Sequence, residues 1–178
     1  MIQYRASIAV VDIFAEIVAK VEEWYNHSIL YLHGVPNEVH QTLIDLGLDA
    51  PSAKRYPFIY LLQPFDEDNK GDYIQLADLH VIIATTTDHN YTSPQRTEKT
   101  FKPILYPVYD LFRCAIAANK NIVETDPDHL SVIKTDEMRW GRSGVYGSQG
   151  EIFTDKIDAI ELTKLQLKLK KANCLTQI

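Results

Sequence analysis

Residues 73–87 read YIQLADLHVIIATTT, and their apolar parity changes part-way along. Ile74 and Leu76 share one parity, while Leu79, Val81 and Ile83 share the other. Successive side chains of a strand point to opposite faces, so the inward face can switch only where the pleat is interrupted. The stretch therefore predicts a long strand with a bulge or bend near Ala77-Asp78. Residues 157–170 (IDAIELTKLQLKLK) repeat the device, with the switch between Leu162 and Leu165 and a bulge expected at Thr163-Lys164. Two long, bulged, half-buried strands call for a twisted sheet with helices to cover it.

The covering helices are legible too. Residues 7–25 place Ile8, Val11, Phe14, Val18, Val21 and Trp24 or Tyr25 at helical spacing, with Asp12, Glu16, Lys20 and Glu23 opposite. Residues 94–118 place Phe101, Ile104, Leu105, Val108, Leu111, Phe112, Ala115 and Ile116 three and four apart. Pro103 and Pro107 lie inside that second run, and each removes a backbone donor. A kink, or a late start near Thr97–Thr100, is expected. SILYLHG, ending at Gly34, reads as a short strand, and Pro36-Asn37-Glu38 opens a short helix. YPFIYLLQPF (56–65) is a strand between prolines, FDEDNKGD a hairpin-type turn, and LSVIKTDEMR (130–139) a further strand. Strands and long helices are grouped and do not alternate as βαβ units. The fold class expected is α+β, one domain over 1–178, with an antiparallel or mixed sheet of four to five strands and two long helices packed on one face.

Composition narrows the function classes. With 178 residues, 46% of them hydrophobic and 24% charged, the chain has enough for a sizeable core. A formal charge of −6 makes tight nucleic-acid binding a poor expectation, because phosphate contacts need clustered Lys and Arg. The N-terminus shows no leader pattern, and no run approaches the ~18 apolar residues of a membrane helix. Cys114 and Cys174 share no motif spacing and are expected to be reduced, in a cytosolic setting.

The chemical candidates resolve mostly into structure. TTTDHNYTSPQR (85–96) packs hydroxyls, an acid, a histidine and an arginine between two apolar runs. Thr92 with Gln95 fits a capping box, and Ser93 as N-cap with Pro94 at the first helical position fits equally well. Asp88 and Asn90 are turn residues. The loop reads as a strand-to-helix connector. The six histidines form neither HExxH nor a helical pair, and no Cys pair supports a metal site. His80 reads as a partly exposed sheet residue. Four of the seven glycines fall in WGRSGVYGSQGE, at 141, 144, 147 and 150, a spacing that matches neither a P-loop nor GxGxxG. Residues 141–150 read as a flexible hairpin loop, serving either as punctuation or as an arm that orders against a neighbouring subunit. The acidic clusters Glu22-Glu23, Asp66-Glu67-Asp68 and Asp136-Glu137 read as solvated charge.

One resemblance covers roughly residues 56–170. YPFIYLLQPF, then LHVIIATTTDHNYTSPQRTEKTFKPILYPVYDLF, then RWG, then VYGSQGEIFTDKIDAIELTKLQLKL, is similar to the small head–tail junction proteins of tailed bacteriophages. These are the tail terminator, tail completion and neck-ring proteins, and the likeness is to versions from phages of Bacteroidetes-like hosts. The resemblance implies a structural virion protein and not an enzyme, with no cofactor, no metal and no catalytic residue to carry over. It implies a self-associating ring of six or twelve copies, assembled in the host cytoplasm, in contact with neighbouring portal or connector and tail proteins. DNA would pass through the lumen without sequence-specific binding. Candidate subunit-interface residues are Arg139, Trp140, Arg142 and Tyr146 around the glycine loop, and Tyr91 and Arg96 in the connector. Two other readings compete: an assembly chaperone or adaptor not retained in the virion, and a small hydrolase using His89 or His80 with Asp88.

Overall fold

Two fourteen-residue strands form the spine of the molecule, β4 (Tyr73–Thr86) and β6 (Ile157–Lys170), running antiparallel. The structure, a computed structural model, describes residues 9–49, 56–123, 125–140 and 156–171. Around the spine lie α1 (Val10–Tyr25), β1 (Leu30–Gly34), α2 (Pro36–Asp49), β2 (Phe58–Leu62) and β3 (Asp66–Asn69). After β4 come α3 (Ser93–Arg96), a π-helix (Thr97–Leu105) and α4 (Tyr106–Ala118), continuous with one another. A 3₁₀ turn (Pro127–His129) and β5 (Ile133–Trp140) lead to β6. The sheet is six-stranded and mixed, in order β1-β2-β4-β6-β5, with β3 paired to the far end of β4. Among the described strands only β1 and β2 are parallel; the other pairs are antiparallel.

Both expected bulges are present, and they lie across from each other. Asp78 sits at φ 56 and Lys164 at φ 55. The register passes from Leu76↔Leu167 to Leu79↔Leu165 to Val81↔Leu162. The first step inserts a residue in β4 and the second inserts one in β6, so the offsets cancel and the strands stay paired to both ends. The result keeps Leu76, Leu79, Leu162 and Leu165 all on one buried face.

That face holds the main core. Val10, Ile13, Phe14, Ile17, Val18 and Val21 of α1 meet Val108, Phe112, Ala115 and Ile116 of α4 over Ile59, Val81, Ile83 and Ile160. Phe14 and Phe112 meet at 6.3 Å between ring centroids. The two long helices thus share one face, as α+β patterning predicts. The buried stripe of α1 is rotated from the sequence reading, with Ile13 and Ile17 inside and Trp24 40% exposed. Asn26 ends α1 in the left-handed conformation, its N–H bonded to Glu22 O at 2.9 Å. The opposite face carries a smaller cluster of Leu32, Phe58, Tyr60, Ile82, Ala84, Ile157 and Ala159, covered from α2 by Leu43.

Two expectations change. The sheet has one strand more than four to five, because Asp66–Asn69, read as part of a turn, pairs with Leu76 and its neighbours and leaves only Lys70-Gly71-Asp72 as the turn. The second helix neither starts late nor breaks. It opens at Ser93 and passes Pro103 and Pro107 by widening to π bonding over nine residues, until Tyr106 N–H bonds Phe101 O. A wider register leaves different carbonyls without a donor and lets prolines sit inside a continuous helix.

Candidate functional site

The connector that leaves β4 is built almost wholly of local hydrogen bonds. Asp88 Oδ1 accepts from Asn90 N at 2.8 Å, an Asx turn. Thr92 is the N-cap, and Gln95 Oε1 returns to Thr92 N at 2.9 Å, completing the capping box. Of the two capping arrangements the sequence allows, the Thr92–Gln95 one is formed.

Beneath the connector lies Arg96, 1% exposed. Its Nε donates to Tyr91 O at 3.1 Å and its Nη2 to Asp88 O at 3.0 Å. Its Nη1 donates to Thr87 Oγ1 at 3.2 Å and to Asp158 Oδ1 at 2.8 Å. Asp158 is fully buried at the start of β6, and the same Oδ1 accepts Arg139 N at 3.0 Å. Its Oδ2 is buried with no hydrogen-bond partner. Arg139 itself stands at φ 66, a backbone twist that aims its N–H at the carboxylate. One ion pair therefore joins the end of β4, the start of the helix, the start of β6 and the end of β5.

Sequence reasoning chose Arg96 as an interface residue, and the structure corrects this. A guanidinium spent on four internal acceptors and buried has no surface to offer a neighbouring subunit. Tyr91 is half-buried, with Lys99 Nζ 4.4 Å from its ring centroid. Arg139 is exposed. Trp140 is partly buried, donating Nε1 to Glu161 Oε1 at 2.7 Å and packing edge-on against Phe58 at 6.3 Å. Arg142, Tyr146 and the glycine loop at 141–150 lie outside the described residues. Tyr91, Arg96 and Arg139 are brought together by Asp158, which the sequence reading missed. The available signal was its parity: in β6 Asp158 faces the same way as Ile160 and Leu162, into the core.

Of the residues a hydrolase arrangement would use, His80 and Asp88 do not converge. The Asp88 carboxylate is occupied in its turn. His80 stands eight positions back along the chain, roughly 26 Å of extended strand. His80 Nε2 lies 3.8 Å from Glu161 Oε2, too far for a hydrogen bond, and burial lowers its pKa although Glu161 pulls the other way. Among the described residues no group of three metal-ligating side chains occurs, and no helix is long and apolar enough to cross a membrane. A cleft of about 460 Å³ opens at the rim beside α1, lined by Tyr25, His27, Ser28, Tyr56, Thr85 and Ile104 among others. Its one imidazole is engaged, His27 Nδ1 lying 3.1 Å from Tyr25 O.

The surfaces that remain are the ends and the uncovered part of the sheet. β1 and β5 are the terminal strands of the order, and they run in opposite directions. No described strand pairs with the outer side of either. Ile133, on β5, is 49% exposed. Such edges present unpaired N–H and C=O groups, a template for another chain.

No family model, curated protein or solved structure matches this chain.

Proposed function

We propose that the chain is a structural virion subunit that closes into a ring of identical copies at the head–tail junction of a tailed phage, as a tail terminator or a neck or connector ring. DNA passes through the lumen, and the faces above and below meet portal or connector and tail proteins. The observation that carries this reading is the pair of sheet edges, β1 and β5, left unpaired among the described residues. Because β1 and β5 run in opposite directions, copies repeated side by side in one orientation meet as an antiparallel pair. Such a contact is heterologous, one patch meeting a different patch, and heterologous contacts close into rings when the rotation between copies allows. The location rests on the resemblance of residues 56–170 to phage junction proteins that the sequence alone suggests.

Purified virions test it. The chain is expected in washed particles at a fixed ratio to the portal, located by antibody labelling at the neck or tail. Presence only in infected-cell lysate, never in particles, would replace the ring with an assembly chaperone. An edge variant gives a second readout. Lys134→Pro in β5, opposite Leu162, removes an outward-facing donor and is expected to abolish assembly while leaving the helical circular dichroism signal intact.

A further inference from the structure

The face of the sheet opposite the main core is covered unequally. α2 lies over its β1–β2 side, where Leu43 joins Leu32, Phe58 and Tyr60. Past Ile157 and Ala159, which are buried, the second half of β6 is left uncovered on this face by the described residues, and it is basic. Leu165, Leu167 and Leu169 are buried in the main core, so Gln166, Lys168 and Lys170 alternate onto the open face, and Lys164 stands exposed at the bulge. None of these three lysines makes an ion pair among the described residues. Lys168 Nζ rests 4.9 Å from the Tyr73 ring centroid, and Lys170 Nζ donates to Lys120 O at 3.0 Å.

We propose that this lysine row is the docking surface for the acidic face of α2 on a second copy of the chain. The proposal rests on the ring reading and deepens it by naming the contact. Glu38 and Asp45 of α2 are exposed beside an open concavity of about 310 Å³ that Asn37, Gln41 and Thr42 also line. They are seven residues apart, two turns, which puts both on one side of the helix about 10 Å apart. Lys164 and Lys168 are about 13 Å apart along β6, a difference that flexible lysine stems absorb. α2 and the lysine row lie on the same side of the sheet but toward opposite ends of the strand order. Side-by-side repetition in one orientation brings the α2 of one copy toward the bare half of the next. A chain with a formal charge of −6 also supplies the acidic partner itself.

Charge exchange tests the contact. The native mass of the full chain is measured for wild type, for Lys164→Glu/Lys168→Glu, for Glu38→Lys/Asp45→Lys, and for the four changes combined, with circular dichroism to check folding. Each double variant is expected to need at least about tenfold more protein to assemble, and the combined variant to recover most of that loss. Wild-type assembly is expected to weaken with added salt. Folded double variants that assemble as wild type does would overturn the contact while leaving the ring reading standing. If Lys164→Glu/Lys168→Glu assembled normally but lost binding to duplex DNA that the wild type shows in a gel-shift assay, the row would belong to phosphates instead. A wild-type chain that never assembles overturns the ring reading, and the contact with it.

Discussion

Arg96 and Asp158 meet at 2.8 Å with 2% and 0% of their side chains exposed, sixty-two residues apart in the chain. Two charges at that depth each lose hydration, and their attraction offsets the loss only with good geometry and further hydrogen bonds. Arg96 has those bonds, to Thr87, Asp88 and Tyr91. Asp158 has Arg139 N as well, but only on Oδ1. The pair acts chiefly as a clamp that fixes where the helix leaves the sheet.

Breaking one side of the clamp should therefore be costly, and removing both sides less so. Arg96→Met leaves a buried carboxylate uncompensated and is expected to cost about 3–5 kcal/mol. Arg96→Met with Asp158→Leu should recover most of that loss. Urea denaturation of the three chains checks it, and equal loss in the single and double variants would contradict the account.

The bulge in β4 depends on a left-handed residue. Asp78 adopts φ 56, a region that β-branched residues enter only with strain. Asp78→Gly should be neutral or slightly stabilising, whereas Asp78→Val should cost about 1–2 kcal/mol. Thermal melts of the two variants decide this, and a Val variant as stable as the Gly one would be inconsistent with the bulge.

Phe14 joins α1 to α4 through Phe112 and is fully buried. Phe14→Ala opens a cavity beneath both helices and is expected to cost about 3–5 kcal/mol, with Phe14→Leu costing less. Chemical denaturation measures both, and a loss under about 1 kcal/mol for Ala would mean the helices do not pack as described.

Alkaline stability follows from two phenols, Tyr60 buried and Tyr31 half-buried. Burial, then the Glu38 charge, pushes Tyr60 up to about 12, and burial, then Asp12, raises Tyr31. A phenol raised above its unfolded value of about 10 stabilises the fold fully below that pH. The contribution is lost as pH rises through the folded value. Melting temperature should fall steeply above about pH 10. Tyr60→Phe, which gives up the hydrogen bond to Gly34 O at 3.1 Å, should start lower and fall less steeply. Parallel slopes for the two chains would remove Tyr60 as a cause.

What the sequence makes legible is whatever a local period or cap encodes. Leu76–Leu79 and Leu162–Leu165 show odd spacings, and an odd spacing within a strand already implies a bulge. Thr92 and Gln95 announce their own cap. The rest depends on partners far along the chain. Asp66–Asn69 has poor strand formers and becomes a strand only because the far end of β4 offers it a ladder. Arg96 resembles a surface arginine until Asp158 arrives from the start of β6. Pro103 and Pro107 correctly mark an irregularity, but sequence alone does not distinguish a kink from a π-helix. Trp24 fits the apolar period of α1 and yet stands outside it, because the core selects Ile13 and Ile17.

The ring is tested most directly by native mass spectrometry of the purified 20.4 kDa chain across a concentration series. The population is expected to converge on one closed species of six or twelve copies as concentration rises, with no open-ended ladder. A single protomer mass at every concentration would contradict it.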